Sequence, residues 1–417
     1  MTASPEPGRL LNPLDPAFAA HPYPAYAVAR EAAAAFRQPG DHLTYLTRYA
    51  DVHAAFRDRR LGSTFLHRYT AEELGLDPGI PVWRDPRWTD FQAFERWELL
   101  NLEPPIHTRL RRLVLEAFTP RAVDALRGGI EARAAELLAP GRERGSIDLV
   151  DYGQAFSLGI ICDLIGVAPG DRDTIKRLSD DTVSMYEPGV SEAQQAVANR
   201  ATGDFRRYLL DVVRHRRAHP GADLTTALIT ATIDGVRLDD DQVVSTAMVL
   251  LMAGHEATVN ATANGVAALA AHPEAWRRIR EGAVTARQAI EEILRWDPPL
   301  QWFERWVLEE GVQLGGAPVA KGSRVALVIG AANRDPRRFP DPDRFDVARD
   351  DTGHITFGGG IHFCIGAPLA RMELEVTLGE LAGSEDALEI VSTPVRRPTF
   401  QFRGFQRLEV ALHGRRA

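Results

Sequence analysis

The stretch Phe357-Gly358-Gly359-Gly360-Ile361-His362-Phe363-Cys364-Ile365-Gly366 constrains this chain more than any other. It sets one thiol among glycine turns, with an aromatic residue upstream and a helix-forming run, Ala367-Pro368-Leu369-Ala370-Arg371, directly after it. A cysteine at the entrance of a helix faces the helix's positive end and its unpaired N–H groups, which favour thiolate over thiol. Glycines let backbone come close to a large flat partner. The only other cysteine, Cys162, lies in the apolar run Ile160–Gly166 and reads as a small core residue. Two cysteines at that separation exclude a disulfide framework or a zinc-type cluster.

The pattern Phe-x-x-Gly-x-His-x-Cys-x-Gly, followed by the Ala367–Arg371 run, resembles the haem-binding loop of the cytochrome P450 monooxygenases. The resemblance implies haem b with Cys364 as its axial thiolate and O2 as co-substrate, in a loop shaped by Phe357, Gly358 and Gly366. It further implies a mainly α fold with a small β part (α+β), the haem lying between a long central helix and the cysteine loop. Haem propionates need cationic partners. At family-matching positions these are His107 and Arg111, one helical turn apart, Arg305 after the Pro298-Pro299 break, and His362.

Glu292-Ile293-Leu294-Arg295 puts an acid and an arginine three apart on one helix face, where they can pair. In the family such a pair is buried and tied by a later arginine. Arg344, in Pro342-Asp343-Arg344-Phe345 beyond Ala332-Asn333-Arg334-Asp335-Pro336, is the matching residue, and the triad is expected to brace the cysteine loop.

The run Ala253-Gly254-His255-Glu256-Ala257-Thr258 lies in an apolar helix expected over Leu238–Ala271. By resemblance its small residues, Ala253 and Gly254 among them, let the helix pass over the haem and open a groove for O2. Glu256 matches the acid of the family's acid–alcohol proton relay. Ala257 stands where the relay threonine is usual, and Thr258 is about 100° further round the helix. Ordered water, or a hydroxyl or carbonyl of the substrate, would then complete the path.

By family position the substrate pocket is lined by Val249, Met252, Ala253 and Ala257, by Gln301, Trp302 and Phe303, and by Phe400, Gln401 and Phe402. The aromatic, irregular segment Leu61–Asn101, with Trp83, Trp88, Phe91, Phe94 and Trp97, completes it. Such a lining suits a sizeable apolar small molecule, with a secondary-metabolite intermediate as the expected class.

Elsewhere the sequence predicts helices over Tyr23–Phe36, Tyr49–Asp58 and Ala286–Trp296, and a strand over Leu43–Thr47. Breaks are expected near Pro140–Gly145, short strands over Val312–Val328 and a final hairpin over Phe400–Leu412. No linker is visible, and residues 1–417 read as one domain. A net charge of −8 over 417 residues gives no support to nucleic-acid binding. Met1–Pro24 shows no apolar h-region and no stretch reaches bilayer length, so a soluble, cytoplasmic, anchor-free protein is expected, with monomer as the family default. Without a flavin or iron–sulfur segment, electrons are expected from a ferredoxin and its reductase, docking on a basic patch near Arg109 and Arg112. Hydroxylation is the default reaction. Peroxide-driven turnover and haem binding without turnover are the alternatives.

Overall fold

Alternating side chains on two neighbouring strands sort the core of the larger part of this protein. In the computed structural model, which describes residues 10–39, 42–66, 68–76, 87–233, 236–350 and 353–413, the strands Ala35–Arg37, Leu43–Leu46, Arg324–Leu327, Phe303–Val307 and Leu61–Gly62 form a five-stranded sheet in that spatial order. Leu43–Leu46 runs parallel to Arg324–Leu327, which is antiparallel to Phe303–Val307. Successive residues point to opposite faces. Leu46, Val307, Val325 and Leu327 pack with Phe56 and Ile355, whereas Tyr45, Ala326 and Val328 pack with Tyr26, Trp302 and Phe400.

The chain folds as two compact units. One is built from the chain up to Leu61, Val123–Phe156 and the chain from Glu256 onward; the other from Gly62–Ala122 and Ser157–His255. In the first, beside the sheet, stand the helices Tyr23–Ala32, Arg127–Arg144, Ala286–Trp296 and Ala367–Ala382. A capping box, Thr285 with Gln288, fixes the start of Ala286–Trp296. The second unit is almost entirely helical, with Ile106–Ala117, Arg172–Val183 and Glu192–Ala218 its main elements among the described residues. Ser191 and Gln194 form another capping box there. The central helix, Asp240–Ala271, contributes residues to both units and agrees with the span read from its apolar run.

Several expectations fail for identifiable reasons. The helix from Tyr23 ends at Ala32, and Ala35–Arg37 is a strand instead. Its pairing with Leu43–Leu46 stacks Phe36 on Tyr45 at 5.5 Å, and tertiary pairing outweighs the helix propensity of the alanines. The break expected near Pro140–Gly145 is present but falls at its far end: Arg127–Arg144 runs through Pro140 and stops at Gly145, whose φ of 87° suits glycine. Gly141 packs so tightly on Ile147 and Leu412 that a Cβ there would lie 2.9 Å from both, which holds the turn after the proline in place. The final hairpin is absent: Phe405–Arg407 pairs with Val395–Arg396 and Glu409–Ala411 with Ser146–Asp148. Leu408 alone separates the two strands, too little chain for a reversal. The aromatic segment is partly helical, over Thr89–Glu95.

Candidate active site

The cysteine loop is tied by its own backbone. Gly358 N–H donates to Ile355 O at 2.9 Å, Phe363 N–H to Gly360 O at 3.3 Å, and Cys364 N–H to Phe357 O at 2.9 Å. Gly358 and Gly360 sit at φ of 70° and 65°, and a Cβ on Gly360 would overlap the Phe56 carbonyl. Glycine is therefore required there on two grounds. Gly366 is the N-cap of Ala367–Ala382, so Cys364 stands two residues before the helix's positive end, as expected. Cys364 is half-buried and Cys162 fully buried, as its apolar surroundings suggested.

Two charge networks hold this loop. Arg371, at the end of the run that follows the cysteine, lies with its guanidinium 4.5 Å above the Phe357 ring and donates to both oxygens of Glu291, at 2.6 and 2.9 Å. His354 Nε2 is 3.1 Å from the same carboxylate. Burial pushes the Glu291 carboxyl up, but Arg371 and His354 outweigh it and hold the carboxyl at about 2.

In the second network Glu292 and Arg295, both fully buried, are joined at 2.6 and 2.8 Å. Arg295 Nη1 donates to the carbonyls of Asn333 and Pro342, at 2.9 and 3.0 Å. Asn333 passes the brace on, donating to Thr356 Oγ1 at 2.8 Å and accepting from Ile355 N–H at 2.9 Å. The third charge is Arg349, whose Nε lies 3.2 Å from Glu292, and not Arg344. The Arg344 side chain is 71% exposed; only its carbonyl reaches Arg295, at 3.4 Å. Glu291, Arg349 and Asn333's amide were missed as individual residues. Arg349 is one more arginine in an arginine-rich stretch, distinguishable only by the loop's path.

On the central helix, Val249, Met252, His255, Glu256 and Thr258 are buried, while Ala253 is exposed and Gly254 and Ala257 are half-buried. Ala253 and Ala257 lie one turn apart on a shared face, which these two small side chains leave open. Gly254 has a further duty, since a Cβ there would lie 2.8 Å from Ile161 Cγ1. The Glu256 carboxylate is held by Arg397 Nη1, a partner with no signal in the sequence. Thr258 is buried, its carbonyl accepting from Thr262 Oγ1 at 2.9 Å, in the same regular helix as Ala257.

Arg305 is nearly buried, its guanidinium 5.6 Å from the Phe56 ring and 6.0 Å from that of Phe303. Phe303 and Arg305 share one face of their strand; Trp302 points to the other. His362 is half-buried beside Cys364 in sequence. In the second unit, buried His107 and half-buried Arg111 lie on one face of Ile106–Ala117, with Arg109 and Arg112 exposed.

Part of the expected pocket lining belongs to the core. Gln301 is fully buried, donating to Pro298 O at 2.8 Å and accepting from Tyr26 OH at 2.9 Å. Trp302 packs edge-on against Phe400 with ring centroids 4.7 Å apart. Gln401 donates to Trp302 O at 2.7 Å, and Phe402 is half-buried. Trp88, Phe91 and Phe94 are buried, Trp97 is half-buried and Trp83 lies outside the described residues.

The donor set is one half-buried thiol ahead of a helix, and the central helix leaves Ala253 exposed and Ala257 half-buried. That chemistry fits haem ligated by sulfur, and such a loop on a mainly helical fold with small sheets defines a haem-thiolate oxygenase. The family model for cytochrome P450 matches residues 64–381. The 6-deoxyerythronolide B hydroxylase of Saccharopolyspora erythraea is 37% identical over 94% of this chain and 96% of its own length. The cytochrome P450 monooxygenase PikC of Streptomyces venezuelae is 36% identical over 91% and 87% respectively. The crystal structure of P450BioI with a ligated acyl carrier protein superposes with a TM-score of 0.86 at 27% identity, covering 95% of this chain and all of that one.

The chain belongs to the cytochrome P450 family. It is an oxidoreductase that incorporates molecular oxygen, with haem-thiolate iron as cofactor and O2 as co-substrate. No helix among the described residues is long and apolar enough to cross a membrane.

Proposed function

We propose that this protein hydroxylates a secondary-metabolite intermediate, with Cys364 as the axial thiolate and electrons from a ferredoxin and its reductase. The observation that carries the reading is the glycine-tied, doubly braced loop that presents one half-buried thiol. His107, Arg111, Arg305 and His362 would take the propionates, and Phe357, Gly358 and Gly366 would shape the seat. When bound, haem supplies O2 activation. One oxygen atom enters a C–H bond of the substrate and the other leaves as water, consuming two electrons and two protons.

The chain's own task is to deliver those protons and exclude bulk water. Glu256 is the acid for this, and Ala257 supplies no hydroxyl beside it. A substrate hydroxyl or carbonyl completes the path, which favours an oxygen-bearing substrate like that named for the 6-deoxyerythronolide B hydroxylase. Arg109 and Arg112 are exposed and suit an acidic electron donor. The protein works in the cytoplasm.

Optical titration of the purified haem protein with oxygenated secondary metabolites tests this. A low- to high-spin shift identifies the substrate, and labelled O2 must then appear in its product. A panel that gives no shift, or turnover only with peroxide and none with ferredoxin, reductase and NADPH, overturns the reading.

A further inference from the structure

Three successive turns of the central helix grip one short stretch near the C-terminus. At the first, Glu256 is ion-paired with Arg397. At the second, Asn260 lies so close to Gly404 that a Cβ there would overlap its side-chain amide. At the third, Asn264 accepts from Arg396 Nη1 at 2.8 Å and donates to Arg403 O at 3.0 Å. Residues four apart share a helix face, so stretch 396–404 lies along the face that carries Glu256. Its ends are joined by Arg397 N–H donating to Gly404 O at 3.2 Å. Gln401 and Phe402 belong to the same stretch.

The pairing has a chemical consequence. Glu256 keeps 8% of its side chain exposed and Arg397 27%. A carboxylate this buried needs a cationic partner. A carboxylate clasped by Arg397 is not free to turn and hand a proton on. Pairing and delivery are thus alternative states of one side chain, and contact between a ligand and 396–404 biases the choice between them.

We infer that Arg397 is the positioning residue that holds Glu256 back, so that proton delivery is released through stretch 396–404. This rests on Glu256 being the delivering acid. The control matters most before substrate arrives, when reduction of O2 by two electrons and two protons yields only hydrogen peroxide.

The test uses the full-length haem protein without substrate, driven by NADPH, ferredoxin and ferredoxin reductase, with peroxide formation as the rate. Arg397→Ala should raise that rate about fivefold or more, in line with typical coupling between sites. Arg397→Lys should stay close to wild type, and Arg397→Ala should have no effect in a Glu256→Gln background. Thermal unfolding supplies a readout free of turnover: the Arg397→Ala and Glu256→Gln shifts in Tm should be non-additive. If Arg397→Ala fails to fold, Arg397→Gln takes its place in both measurements.

An unchanged peroxide rate, or an equal rise with and without Glu256, overturns the proposal while the family reading stands. A wild type lacking the thiolate signature in its ferrous–CO spectrum overturns the assignment of Cys364 beneath it. In that case non-additive Tm shifts still confirm the ion pair but no longer a role in proton delivery.

Discussion

Arg349 places its Nε 3.2 Å from the fully buried carboxylate of Glu292, while Arg344, five residues earlier, turns its guanidinium out to solvent. Only Arg349 therefore compensates a buried charge that Arg295 already shares. Arg349→Ala should destabilise the protein by about 2 kcal/mol, since it removes a charge-assisted hydrogen bond to the buried Glu292 carboxylate, which Arg295 alone then pairs. Arg344→Ala should change stability by less than ~0.5 kcal/mol, as exposed side chains do. Urea unfolding of the two variants checks the pair of outcomes, and haem retention should fall only in the first.

Cys364→Ala should abolish the red-shifted Soret band of the ferrous–CO complex, because no other described thiol is accessible: Cys162 is 0% exposed. Cys162→Ala should keep that band. Difference spectra of reduced, CO-treated protein decide both.

Ala257→Thr places a hydroxyl on the open face of the central helix. If the substrate's own oxygen completes the proton path, the added hydroxyl should not improve coupling with the native substrate, and peroxide release per product should stay the same or rise. A strong gain in coupling would show that the path lacks a group the substrate does not provide.

Acid should loosen the cysteine loop from the proximal side. The Glu291 carboxyl is held at about 2 against an ordinary 4.5, chiefly because Arg371 and His354 outweigh its burial. Burial also lowers His354 below its ordinary 6.5, an effect the nearby Glu291 only partly offsets. Both groups bind fewer protons folded than unfolded, so their stabilisation is complete above about pH 6.5 and is lost as pH falls. The His354 share goes first, and the Glu291 share is lost between about 4.5 and 2. Tm measured across this range should fall steadily in the wild type, and Arg371→Ala should remove the lower part of the slope.

The loop, the central helix and the Glu292–Arg295 pair were legible in the sequence because each is a local pattern. Glycines at required backbone angles, apolar periodicity and an i, i+3 charge pair all lie within a few residues of one another. What escaped was set by chain path. Arg397 meets Glu256 from 141 residues away. The choice of Arg349 over Arg344 depends on how residues 340–350 turn. The strand at Ala35–Arg37 was read as helix because its alanines favour helix until Leu43–Leu46 pairs with them. Gln301 and Trp302 were placed by analogy of position; alternation turns Trp302 to the opposite face from Phe303 and Arg305, and hydrogen bonds to Tyr26 and Pro298 hold Gln301 in the core.

That last division bears on attempts to redirect the oxidation. Gln301 and Trp302 are fastened to Tyr26, Pro298, Phe400 and Gln401, so mutant libraries built there would mostly return misfolded protein. On the proposed function, diversity for new selectivity belongs instead at Ala253 and Ala257, which the central helix leaves exposed and half-buried.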